Sequence, residues 1–216
     1  MTASIELRVA AWTTVPPASA ATLPLSVRRR VTPLGRRALE AAMAVLPRGV
    51  SPRLVFSSRH GENSRTLGLL QSLVEEGTVS PAEFSMSVHH ALAGLLSIAT
   101  GNHAGHTAVA AGRESFCYGL LEAAAAAAED GAPVVLVHFD EALPEIFDAV
   151  TASPSPGVIL ALLLDGSGEP ITLTLEPAAA PGTDDPASRF LDFLRSGADE
   201  GEATGERMAW RWRRVA

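Results

Sequence analysis

The chain has 216 residues, of which 47% are apolar and 19% charged, and carries a net charge of −7. That composition excludes a wholly disordered protein, and the acidic balance excludes bulk nucleic-acid binding. The charge is unevenly spread: residues 1–70 hold ten arginines against Glu6, Glu40 and Glu62, while the remainder holds seven arginines against 21 acids. There is no lysine. A basic first third on an acidic chain points to a docking face. The single cysteine, Cys117, excludes an intrachain disulfide and a multi-thiolate zinc site. The first residues form no secretory n-region, Pro16 and Pro17 break the apolar stretch that follows, and no run approaches the ~20 apolar residues of a membrane span. A cytoplasmic setting without a membrane span is expected.

In chain order, residues 5–12 alternate as a strand and lead into a Pro/Ala/Thr loop. Arg28, Arg29 and Arg30 precede Pro33, and 34–46 has helical periodicity stopped by Pro47 and Gly49. Residues 54–58 read as a short buried strand opening into Arg59-His60-Gly61-Glu62. Asn63 or Ser64 caps a helix to Glu76, with Gly77 as its stop. After Ser80-Pro81, residues 88–99 form an apolar helix ended by Gly101. A strand at 106–110 turns at Ala111-Gly112 into a long helix, 115–129, whose six consecutive alanines demand a close neighbour. A buried strand follows at 134–139. Strands at 158–164 and 171–176 flank Asp165-Gly166-Ser167-Gly168, a hairpin signal. Residues 177–186 read as a linker, 187–196 as a short helix, and the tail alternates Trp210 and Trp212 with arginines, as an edge strand would. Strand alternating with helix predicts an α/β fold with a mixed, largely parallel sheet.

Several residues could carry chemistry. His60, with Ser57, Ser58 and Glu62 close by in sequence, suggests a serine–histidine–acid arrangement at a strand end, against a plainer role as a loop capping the next helix. His89, His90, His103 and His106 cluster without the same-face spacing of a metal site, so no metal is expected. Cys117 falls in the first turn of its helix, where amides and dipole favour a thiolate. Phe116 and Tyr118 beside it favour simple core packing. Arg28, Arg29, Arg30, Arg36 and Arg37 suit an acidic protein or a phosphate.

The run at 84–101 (FSMSVHHALAGLLSIATG), with 55–62 (VFSSRHGE), 110–116 (AAGRESF), 119–123 (GLLEA) and 140–144 (DEALP), resembles the N-terminal-domain family of β-ketoacyl synthases. It is most similar to the short stand-alone synthase-like proteins of aryl-polyene and other type II fatty-acid and polyketide systems. The resemblance runs over about 5–176. It implies the N-terminal half of a thiolase-like fold, a mixed five-stranded sheet between helical layers, in residues 1–176, with 177–216 as linker, helix and tail. Setting Gly119 on the glycine that follows the synthase nucleophile puts Ala111 at the nucleophile position, and alanine accepts no acyl group. The catalytic histidines of synthases come from a C-terminal half not seen here. The resemblance therefore implies an accessory subunit, in the manner of a chain length factor, partnered with a ketosynthase, an acyl carrier protein, or both, as a homo- or heterodimer. It implies no cofactor. His89, His90, Gly112 and Phe116 are its acyl-pocket candidates. An acyl-transfer or condensing enzyme using Cys117 or completed by a partner, and a simple acyl-chain binder, are the alternatives.

Overall fold

The structure, a computed structural model, describes residues 2–14, 23–150 and 157–215. The predicted loop at Pro16 and Pro17 lies outside the described residues. The alternating N-terminal segment forms β1 (Ala3–Thr13), followed by α1 (Leu25–Arg28) and α2 (Pro33–Val45). The Thr32 hydroxyl opens α2 by accepting from the Gly35 amide at 3.1 Å, with Pro33 pre-set at the first position. Next come β2 (Arg53–Ser57), α3 (Asn63–Glu76), α4 (Pro81–Met86) and α5 (Ala91–Thr100). Gly77 and Gly101 end α3 and α5 in the left-handed region, at φ of 69° and 63°. The chain continues through β3 (His106–Val109), α6 (Ser115–Asp130), β4 (Val134–Phe139), β5 (Ile159–Leu164) and β6 (Glu169–Pro177). It closes with α7 (Pro186–Ser196), β7 (Glu200–Thr204) and β8 (Met208–Arg214).

Among the described residues, eight strands join one sheet in the order β3-β2-β4-β5-β1-β6-β8-β7, rather than the five strands implied by resemblance. The pairs β2–β3 and β2–β4 are parallel and the other five are antiparallel. Part of the excess comes from the C-terminal stretch. β8 buries Trp210 and Trp212 on one face, as their alternation predicts, but it is not an edge, because β7 lies outside it. The sheet and its core therefore run on through 177–215.

The hairpin predicted at 165–168 does not form. β1 lies between β5 and β6: Val9 pairs with Leu164 on one side and with Glu169 on the other. The four residues between cross over β1, with the Asp165 amide donating to the Arg8 carbonyl at 3.1 Å. A Cβ on Gly168 would fall 2.5 Å from both the Ala10 nitrogen and the Val9 carbonyl carbon, so only glycine passes. A local turn signal cannot reveal a third strand slotted into its mouth.

β4 is buried at every position and so serves two cores. One face of the sheet packs against α6 and α7, and the other against α1, α2 and α5. The alanine run finds its close neighbour here, in the chain's own sheet. Ala123 and Ala124 are buried in the first core together with Leu7 and Leu136. Ala124→Trp is expected to cost about 1–3 kcal/mol through overpacking. Thermal melting checks this, and an unchanged midpoint would show that the helix face is open.

Candidate functional site

Ala111 lies in the turn from β3 into α6, the strand-to-helix corner where the sequence placed it. Its amide donates to the Ser115 hydroxyl at 2.9 Å, and that hydroxyl donates to the Gly112 carbonyl at 2.6 Å. Gly112 makes the corner with φ of 60° and is exposed. Phe116, one turn on, is fully buried, its ring against His138 and Phe190 at centroid distances of 5.4 and 5.3 Å.

Cys117 is fully buried, and burial raises its thiol pKa well above the ordinary value, with Glu114 and Asp185 adding to the effect. The first-turn position would favour a thiolate, but desolvation and two nearby carboxylates outweigh it. Glu114 precedes α6 without capping it. Its carboxylate instead turns to the C-terminal strands, accepting from the Met208 amide at 2.9 Å and the Trp210 indole Nε1 at 3.2 Å. A Cβ on Gly205 would fall 2.4 Å from Glu114 Oε1, so the β7–β8 turn closes directly on this acid.

A serine–histidine–aspartate row does exist, with a different histidine from the one expected. Ser57 and His138 are register partners on the parallel strands β2 and β4. Ser57 Oγ stands 3.0 Å from His138 Nδ1, and His138 Nε2 stands 3.5 Å from Asp140 Oδ2. All three are buried. The row is sealed by α6: a Cβ on Gly119 would fall 2.6 Å from Ser57 Cβ and 2.8 Å from its Oγ. Helix backbone thus occupies the space a substrate would need above the hydroxyl. Asp140 also accepts from Ser58 Oγ at 2.8 Å, from the Arg59 amide at 3.0 Å and from the His60 amide at 3.2 Å. The row organises the 58–61 loop. His60 itself contributes only its amide to Asp140, and Glu62 faces away, towards Thr32 and Arg65. His138 was legible only as the one polar residue in an otherwise apolar strand.

His89 lies against Gly61 with Nε2 buried and unpaired, while exposed His90 meets exposed His106 at a ring distance of 5.3 Å. His103 is exposed. Among the described residues, no three His, Cys, Asp or Glu side chains gather as a metal site. No helix there is long and apolar enough to cross a membrane. Arg28, Arg29, Arg30, Arg36 and Arg37 are all exposed on α1, α2 and the turn between them. Arg36 pairs with Glu40 at 2.8 Å, and the other four have no acidic partner among the described residues.

A mixed sheet between helical layers, with a strand-to-helix corner leading into a buried helix, defines a thiolase-like α/β domain. The N-terminal domain of β-ketoacyl synthases matches residues 6–213, and the chain belongs to that family. The match extends well past residue 176, in keeping with the continuous sheet. The chain is similar in fold to a chain of the ketosynthase (ApeO) in complex with its chain length factor (ApeC) from Xenorhabdus doucetiae. That match has 24% identity and a TM-score of 0.85, covering 97% of this chain and 100% of that one. The ishigamide ketosynthase/chain length factor matches at 16% identity and a TM-score of 0.54, covering 83% of this chain and 56% of that one. A β-ketoacyl synthase from Burkholderia phymatum STM815 matches at 15% and 0.55, covering 87% and 58%. The chain thus spans just over half the length of these last two. No curated protein sequence matches it.

Proposed function

We propose that this chain is a non-catalytic, synthase-like subunit of a type II fatty-acid, polyketide or aryl-polyene system, acting beside a ketosynthase in the manner of a chain length factor. The observation that carries the reading is Ala111 in the β3–α6 corner, where the family resemblance puts the acyl-accepting cysteine. A methyl group cannot attack a thioester, and the one thiol of the chain is buried with its pKa raised. The same-length match to a chain from a ketosynthase–chain length factor complex supports a heterodimer. The test is co-expression with the ketosynthase of the same biosynthetic system, followed by size-exclusion chromatography and mass analysis. A stable 1:1 complex supports the reading. A solitary monomer beside an unbound ketosynthase overturns it and favours an acyl-chain binder.

The carrier-protein side of the proposal rests on the basic corner. Arg28, Arg29, Arg30, Arg36 and Arg37 form an exposed positive face that suits an acidic acyl carrier protein. Exposed charges are screened beyond ~8 Å at physiological ionic strength, so association should weaken steeply with salt. Changing Arg28, Arg29 and Arg37 together to Glu is expected to slow carrier-protein association at least tenfold in low salt while the fold survives. Salt-independent binding, or a variant that binds as well as wild type, would reduce the corner to an ordinary solvated surface.

A further inference from the structure

The basic corner is built against its own local electrostatics. α2 begins Pro-Leu-Gly-Arg-Arg, so Arg36 and Arg37 sit beside its N-terminus, and its first turn holds no acid. Positive charge there opposes the helix dipole. α1 before it has four residues and no side-chain cap, with Val27 as its buried residue. Five arginines within residues 28–37 also repel one another, so the hold on this stretch must come from outside it. It comes from the start of α3. The side chains of Glu62 and Arg65 are only 3% and 9% exposed and pair with each other at 3.4 Å. The Glu62 carboxylate accepts from the Thr32 amide at 3.2 Å and from the Thr32 hydroxyl. That hydroxyl in turn accepts from the Gly35 amide, so the acid backs the cap of α2. A Cβ on Gly35 would strike the carboxylate, which thus brings to this N-terminus the negative charge that the first turn of α2 lacks. Arg65 donates to the Arg30 carbonyl at 2.6 Å and is steadied from another side by Glu83 on α4. Residues 30–32 are gripped at both ends.

We propose that Glu62 and Arg65 are positioning residues for the basic corner, holding the α1–α2 turn so that its arginines meet an acidic carrier protein as one preformed face. The inference rests on the proposed docking of a carrier protein there, and it adds two residues outside the docking set. A partner that meets an ordered face loses less side-chain and loop freedom on binding. A cluster kept against dipole and repulsion, with a nearly buried ion pair to compensate, is a local rule broken where function requires it.

The experiment measures binding of the acyl carrier protein of the same biosynthetic system to the full chain, to E62Q and to R65Q. Circular dichroism melting establishes that each variant folds, and amide hydrogen exchange follows residues 28–36. Charge steering alone would give opposite effects: E62Q makes the corner more positive and would tighten binding, whereas R65Q would weaken it. Positioning gives the same sign for both, with binding about tenfold weaker and exchange at 28–36 faster. A folded E62Q that binds as tightly as wild type, or more tightly, overturns the proposal. If one variant fails to fold, the other decides through its exchange, and unchanged protection at 28–36 overturns the clamp. The docking reading fails differently: wild type binds no carrier protein, or R28E/R29E/R37E binds as well as wild type, and the inference falls with it.

Discussion

Trp210→Ala is expected to lower the unfolding free energy by about 3–5 kcal/mol, as truncation of a fully buried tryptophan does. The indole is 0% exposed, meets Tyr118 edge-on at 5.1 Å, and donates its N–H to Glu114. Truncation leaves a cavity in the core and removes a donor from a buried carboxylate, and both effects act in the same direction. The change lies in a stretch whose sequence reads as a tail with the alternation of an edge strand, yet it should destabilise the whole domain, because β8 is an interior strand between β6 and β7. Urea denaturation measures this. A loss below about 1 kcal/mol would show that the C-terminal strands dock loosely on an independent core.

Asp140→Ala should cost a comparable amount, about 3–5 kcal/mol, the usual penalty for removing one partner from a buried charged network. The Ser58 hydroxyl and the Arg59 and His60 amides would lose their shared acceptor, and His138 its nearest carboxylate. The same network sets an acid limit. Burial lowers the pKa of His138 despite Asp140, Asp185 and Ser57, and burial with Arg59 beside it lowers that of His60. Both imidazoles are therefore protonated more readily in the unfolded chain. Their contribution to stability is fully present above the unfolded value of about 6.5 and is lost as pH falls below it. Denaturation midpoints at a series of pH values should decline from that point downward. His138→Gln should flatten part of the decline, and a pH-independent midpoint between 7 and 5 would contradict the assignment.

The elements legible in the sequence are those set by local chemistry. The run at 134–139 forms its strand without a change of boundary, and Gly77 and Gly101 stop the helices they punctuate. The Ala111-Gly112 turn was readable for the same reason, since a strand pattern breaks there and a helix pattern begins. What was not legible depends on distant partners. Glu114 meets Trp210 across 96 positions, and Ser58 meets Asp140 across 82. No spacing rule links such residues, so sequence proximity points to His60 as the histidine of the buried row, whereas the fold brings in His138. β7 escaped because Glu-Gly-Glu-Ala-Thr has little strand propensity and forms only against β8.

Under the proposed function, this chain stands beside acyl chemistry without accepting the acyl group. Intact-mass analysis after incubating the chain and its ketosynthase with acyl-loaded carrier protein tests it directly. The expected result is an acyl adduct on the ketosynthase and none on this chain. An adduct on this chain that disappears in Cys117→Ser would contradict it and make the buried thiol a nucleophile.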